Sequence, residues 1–361
     1  MDKLRSKFPV LRQYIYANTA SLGLFSEDLL DWRQEHDLDF LLGGSTMRSK
    51  SLEIIQRTRE SVGSMFHCKS DSVALISNFS LGINMVLSSL EKNRKILLLE
   101  NDYPSVSWPF DSREFNILKI PVSTVLEKDI EEVVEKEKIQ VLALSIVQWV
   151  NGVKIDLDFL KKLKAQNPNL LIIADGTQYC GTEDFNFEES GIDILAASAY
   201  KWLLSGYGNG FMLFKESVKD KFNIPIIGFS AAGADETQKN NIPFVKKFEP
   251  GHLSCLVFGS LNFSVEFMMK IGMDKIEKRI KEISAYAKEE FIKLDVLEDL
   301  VVNRKIHSSI FCINGNDKLF QHLTDNGVVC SQRGEGIRFS FHFYNTEKDV
   351  QEIVKIVKAA K

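Results

Sequence analysis

The sequence predicts an α/β protein: a mostly parallel sheet between helices, followed by a smaller α+β domain. Two patterns carry the prediction. From Val73 to Phe214, short apolar runs of strand length alternate with segments of helical spacing. That alternation implies right-handed crossovers and a sheet covered on both faces. After Phe214 the texture changes to a polar, turn-rich stretch, then two long helices, then a short strand-and-helix tail. A length of 361 residues also exceeds what one hydrophobic core usually serves. The expected division is an N-terminal arm (1–15) packing with the small domain, a large domain (16–270) and a small C-terminal domain (271–361).

The elements follow in order. Residues 16–23 (YANTASLG) read as a small-residue loop, and Ser26 offers an N-cap for a helix over SEDLLDWRQEHDLDFLL. The Gly43-Gly44-Ser45-Thr46 break ends it, and helical spacing resumes with Leu52, Ile55, Val62 and Met65. Strands are expected at Val73–Ile76, Lys95–Glu100, Ile117–Val122, Val141–Val147, Leu170–Asp175, Ile194–Ser198 and Gly210–Phe214, with helices at 81–90, 127–138 and 157–166 between them. Residues 223–251 read as a long loop near the site. Helices at Cys255–Met269 and Lys275–Leu294 lead to a tail of strand (SSIFCI), helix (DKLFQHLTDN), strands (VVC and IRFSF) and helix (EKDVQEIVKIVKA).

Gross composition narrows the function classes. Net charge is −4 and no basic block stands out, so neither nucleic acid nor a membrane surface is an expected partner. The N-terminus lacks an apolar h-region, and the five cysteines are scattered without a CxxC pair, so a cytoplasmic setting with reduced thiols is expected. The six histidines show no metal-ligand spacing, and no metal site is expected.

The chemistry centres on residues 174–214. One apolar run ends in Asp175, and a second ends just before Tyr200-Lys201 and a glycine-rich turn. Groups at strand carboxyl ends are where open α/β sheets place their sites. An acid and an amine delivered together suggest a site for an aromatic aldehyde cofactor, pyridoxal 5'-phosphate, with Lys201 as its covalent anchor. Lys201 sits among apolar residues, where a solvated lysine is unusual. Asp175 alone reads as an N-cap or turn residue, and its pairing with Lys201 gives it the role of holding the pyridine nitrogen protonated. Ser77-Asn78-Phe79-Ser80 precedes a helix and reads either as a phosphate cradle or as a plain capping turn. Ser198 is a second phosphate donor. Arg338 lies inside an apolar strand and needs an anion, either a substrate carboxylate or an internal Asp or Glu. Tyr103 reads as a ring-stacking residue or as a core or loop tyrosine.

Taken together, TASLG, SNFSLGIN, ENDYPSVSWPF, VQWVNG, ADGTQ, SAYKWLLSGYGNGF, FEPGH and IRFSFHFYNTEKD make the chain resemble the class V aminotransferase family of fold-type I pyridoxal phosphate enzymes, which includes cysteine desulfurases and kynureninase-like proteins. The resemblance implies a large domain with a seven-stranded, mostly parallel sheet. It implies a Schiff base on Lys201, Asp175 at the ring nitrogen, and Gln178 at the phenolic oxygen or the imine. Ser198, Phe79 and Ser80 would hold the phosphate, Tyr103 would stack on the ring, and His252 would stand where a hydroxyl reaches the phosphate across a dimer interface. Arg338 would grip the substrate carboxylate, with Asn18, Ala20 and Gln148 bordering the same pocket. A homodimer is implied as well.

The same resemblance leaves several reactions open: transamination, a kynureninase-like or cysteine/selenocysteine lyase-like reaction, and epimerisation. Cys330 is the one cysteine close before Arg338, and it ends an apolar strand with too short a turn for a mobile nucleophile loop, so it reads as a core residue. The working expectation is an aminotransferase acting on a small amino acid. A non-catalytic pyridoxal phosphate-binding scaffold is the alternative from another class, and it would have no need of the amine.

Overall fold

Seven of the apolar runs pair into one sheet. In the computed structural model, which describes residues 2–360, the chain opens with α1 (Asp2–Arg5), β1 (Ile15–Tyr16), α2 (Glu27–Gly43) and α3 (Arg48–Met65). The alternating region then runs β2 (Val73–Ile76), α4 (Phe79–Leu87), β3 (Lys95–Leu99), α5 (Pro104–Asp111), β4 (Asn116–Ile120), α6 (Leu126–Glu137) and β5 (Val141–Ser145). It continues through α7 (Leu157–Gln166), β6 (Leu171–Asp175), β7 (Ile194–Ser198) and β8 (Gly210–Phe214). The sheet order is β2-β8-β7-β6-β5-β3-β4. Its neighbours from β7 to β4 are parallel, whereas β8 is antiparallel to both β2 and β7.

Strand alternation feeds two separate cores, as a doubly covered sheet requires. Leu97, Leu142, Leu144, Ile172 and Leu195 pack on one face, and Ile96, Leu98, Val141, Ile173 and Ile194 on the other. Only β4, at the sheet edge, is largely outside full burial.

Local chemistry sets the helix ends. Ser26 caps α2 by accepting from the Leu29 N–H, as its position predicts. α4 starts at Phe79, two residues earlier than expected, because Asn78 caps it through the Leu81 N–H. The α3 face buries Ile55, Val62 and Met65, but Leu52 points to solvent at 63% exposure. α5 is an addition to the expected elements, begun by Pro104 and carrying Pro109 inside it.

Past α8 (Glu216–Lys219), residues 223–251 form a long irregular segment with two 3-10 turns. α9 (Cys255–Ile271) and α10 (Met273–Lys293) follow, bent 80° apart at Gly272, and no single helix among the described residues is long and apolar enough to cross a membrane. The chain closes with α11 (Asp299–Asn303), β9 (Ile310–Asn314), α12 (Asp317–Asp325), β10 (Val328–Val329), β11 (Ser331–Arg333), β12 (Gly336–Ser340) and α13 (Glu347–Ala359). β11, β12 and β9 make an antiparallel sheet over a core that includes Phe291, Phe311, Phe339 and Ile353. The N-terminal segment lies against these elements: β1 pairs in parallel with β10, and Arg5 grips Asp349 through both guanidinium nitrogens.

Candidate active site

β6 and β7 are parallel neighbours, so their carboxyl ends, Asp175 and Ser198, lie side by side. Thr177 ties them together. Its N–H donates to Asp175 Oδ1 at 2.8 Å, and its Oγ1 accepts from the Ser198 N–H at 3.0 Å. Three residues beyond β7, Lys201 is buried at 6% exposure. The chain then turns back through left-handed backbone at Leu204, Gly206 and Gly208 to enter β8.

Burial governs the ionisation of both groups. It pushes Asp175 up to about 6, against the opposing pull of the Thr177 hydrogen bonds and the Lys201 charge. It pushes Lys201 down to about 8. Asp175 opposes that change, and the Arg338 and Arg333 charges reinforce it. Lys201 Nζ stands 5.5 Å from the ring centroids of Tyr103 and Tyr200, and among the described residues it forms no ion pair.

The segment carrying Lys201 is held from two sides. Gly23 donates its N–H to the Tyr200 carbonyl at 2.9 Å, and a side chain there would put its Cβ 1.9 Å from the Lys201 carbonyl oxygen. On the other side His342, fully buried, lies with Nε2 2.9 Å from the Trp202 carbonyl and accepts from the Phe343 N–H at Nδ1. Burial pushes His342 down to about 4, so it serves as a neutral donor. The sequence offers no signal for this histidine beyond its place in the FSFHFYN run.

Phe79, Ser80 and Ser198 meet at the N-terminus of α4, the positive end of the helix, which suits an anion. The Phe79 N–H donates to Ser198 Oγ at 2.9 Å, and Ser80 Oγ lies 2.8 Å from Ser105 Oγ, a further hydroxyl not singled out from the sequence. Gln178 accepts from Trp202 Nε1 at 2.8 Å and donates to the Ala20 carbonyl at 3.0 Å, which fixes its amide and leaves one N–H to offer. Tyr103 packs edge-on against Trp149, with centroids 5.8 Å apart. Its position is set by Asp102, a second buried acid that sequence reasoning missed. Asp102 accepts from the Tyr103 N–H at 2.6 Å and the Ser145 N–H at 2.8 Å, and burial raises its pKa.

Arg338 comes from β12 and is 2% exposed. Its Nη1 donates to the Trp149 carbonyl at 2.6 Å, its Nε has no partner, and among the described residues it meets no carboxylate. The sequence left an internal salt bridge open, and the structure contains none. Burial and the Arg333 charge push Arg338 down to about 10. Asn18 and Ala20 line the β11–β12 hairpin beside it, Ser331 Oγ of β11 donating to Asn18 Oδ1 and the Ala20 N–H to Ser340 Oγ of β12. Gln148 is buried next to Trp149, with its side chain turned toward Asp102. His252 is exposed in the irregular segment before α9.

A pyridoxal 5'-phosphate fits this donor set. There is a buried amine free of acidic partners for the aldehyde, and a buried carboxylate poised near neutrality for the ring nitrogen. Backbone N–H groups and hydroxyls at a helix end suit the phosphate. The unpartnered Nε of Arg338 marks where a further polar contact is missing.

A family model described as Aminotransferase class-V matches residues 41–353. Among curated relatives, an uncharacterized aminotransferase of Schizosaccharomyces pombe is 26% identical over 84% of this chain and 81% of its own length. A probable cysteine desulfurase of Methanothermobacter thermautotrophicus is 21% identical over 97% of this chain and 95% of its own. Among solved structures, an apo cysteine desulfurase from Thermococcus onnurineus superposes with a TM-score of 0.87 at 17% identity, covering 99% of this chain and 97% of that one. A C-DES mutant with glycine covalently linked to the PLP cofactor gives 0.87 at 16%, covering 97% and 98%.

Proposed function

The chain belongs to the aminotransferase class-V family, and we propose that it transfers the amino group of a small amino acid, with Lys201 as the catalytic amine. Its cofactor is pyridoxal 5'-phosphate. When bound, that group supplies a carbonyl for imine exchange with the substrate amine and an electron-poor ring that stores the electron pair released at Cα.

The rest is the work of the chain's own side chains. Lys201, with a pKa near 8, has a substantial neutral fraction at physiological pH and can take and return the Cα proton. Asp175 is placed to hold a proton on the ring nitrogen. Phe79, Ser80, Ser105 and Ser198 hold the phosphate, Tyr103 lies against the ring face, and Gln178 offers its remaining N–H to the ring side. Arg338 binds the α-carboxylate, with Asn18, Ala20 and Gln148 bordering it.

The observation that carries this reading is Arg338: a guanidinium removed from water, with an unpartnered Nε and no carboxylate of its own. Leaving such a charge unpaired costs several kcal/mol, which an amino acid's carboxylate would offset. A passive binder of the cofactor would require neither Arg338 nor a depressed Lys201. Cys330 is buried and its thiol is pushed up to about 12, which argues against a desulfurase thiolate at that position. We place the site at a homodimer interface, with His252 of one subunit beside the phosphate of the other.

The test is a visible spectrum of the purified holoenzyme followed by single amino acids. The expected result is conversion to the amine form of the cofactor with one equivalent of oxo acid. Release of alanine, sulfide or an aromatic fragment would assign a lyase instead, and loss of optical rotation without oxo acid would assign an epimerase.

A further inference from the structure

We propose that Arg333 and Arg338 form a two-anion grip, so that the amino substrate carries a second acidic group on its side chain. The inference rests on the reading of Arg338 as the α-carboxylate ligand.

β11 and β12 are antiparallel with Ser331 opposite Arg338 and Arg333 opposite Gly336. Residues two apart share a face of a strand, so Arg333 and Arg338 are diagonal neighbours on one face, about 7–8 Å apart at the backbone. That face is the one turned to the site. Ser331 reaches Asn18 from it, Ser340 reaches Ala20, and Arg338 reaches the Trp149 carbonyl. The hairpin tip at Gly334 lies against Val150, so the same wall continues past Arg338.

Arg333 is half-buried, and its guanidinium donates only to the adjacent Gln332 carbonyl, at 2.7 Å. Among the described residues neither arginine forms an ion pair. Two guanidinium groups gathered beside an amine, with no acid of the chain between them, repel. Arg333 indeed lowers the proton affinity of both Arg338 and Lys201. An amino acid with a single carboxylate satisfies Arg338 and leaves that repulsion in place, whereas a second anion on the side chain would pair with Arg333. The cofactor phosphate does not fill this role, because its donors belong to α4 and β7, away from the β11–β12 hairpin.

Isothermal titration of the holoenzyme with two unreactive acids, succinate and butyrate, tests the proposal. Succinate should bind at least about tenfold more tightly, since a charge-assisted pair typically contributes that much. Arg333→Met should collapse the succinate-to-butyrate ratio to about one, and Arg333→Lys should keep part of it. Arg338→Met should weaken both acids. Equal affinity of the unmodified enzyme for the two acids, undetectable succinate binding, or an unchanged ratio in Arg333→Met would each overturn the grip. If Arg338→Met bound both acids normally, the carboxylate role of Arg338 itself would fail, and that result is separable from the others.

Discussion

Removal from water displaces Asp175 and Lys201 in opposite directions, and each displacement has its own pH signature. Asp175 binds its proton more tightly in the folded chain, with a pKa near 6 against the ordinary 3.8. Its contribution to stability is therefore best below about pH 4 and declines as pH rises through about 6, by of order 1–3 kcal/mol. Comparing the cofactor-free protein with Asp175→Asn by urea denaturation should show the unmodified chain losing ground over that window. A gap that is flat, or that grows in its favour, would contradict the assignment. Lys201 runs the other way, its buried charge being relieved as pH rises from about 8 past 10.5. Lys201→Ala should abolish turnover and the visible absorption that depends on the covalent link. Arg338→Ala should raise KM for the amino acid at least about tenfold while the cofactor stays bound. Loss of the cofactor would instead give that arginine a structural role. Both residues were legible from sequence, because a charged residue inside an apolar run is conspicuous. Asp102, Ser105, Arg333 and His342 were not, because their roles depend on which distant segment of the chain lies beside them.

At the level of elements, one buried ion pair ties three segments together. Arg59 of α3 bonds Glu249 bidentately, at 2.6 and 2.8 Å, and also donates to the Val73 carbonyl. Glu249 accepts in turn from the Leu75 N–H of β2. Arg59→Met would leave the buried Glu249 with only the partly exposed Lys246, 3.1 Å away, as its cation, and should cost about 3 kcal/mol in chemical denaturation. The double variant Arg59→Met with Glu249→Leu should recover part of that loss, and if it recovers nothing the pair is not the cause. The strands and most helices announced themselves through apolar period and capping residues. α5 did not, since YPSVSWPFD reads as a loop. A proline at N1 gives up no hydrogen bond, and the helix is short enough to tolerate Pro109 near its end. β11 is three residues long and has no period to detect. Leu52 has the spacing of a core residue and the exposure of a surface one.

For the molecule as a whole, the exposed apolar side chains at the end of α2 and the start of α3 call for a partner. Leu41 and Leu42 are 79% and 78% exposed, and Leu52 is near them in sequence. In a homodimer such side chains would be covered. Light scattering should give twice the 41.0 kDa chain mass, and Leu41→Glu with Leu42→Glu should shift the population toward monomer. A dimer unaffected by that pair would place its interface elsewhere. The sheet's strand-helix order could be read from the sequence, and an N-terminal arm packing with the small domain was expected, but the particular residues that fasten the two could not be named, because no local pattern records them.

Those contacts bear on how the protein is made. Residues 15–23 leave the ribosome long before their partners: Tyr16, Thr19 and Ala20 bond to Asn345, Tyr344 and Ser340, at least 320 residues later. Residues 15–23 therefore stay undocked until residues 340–345 have been made, a long loop to close. Gly23 sits against the Lys201 backbone in the same segment. A chain cut before β12 would lose the anchor of residues 15–23, which border Lys201. Competence for catalysis would thus await residues 340–345, and without them residues 15–23 would be left unfastened and open to proteases.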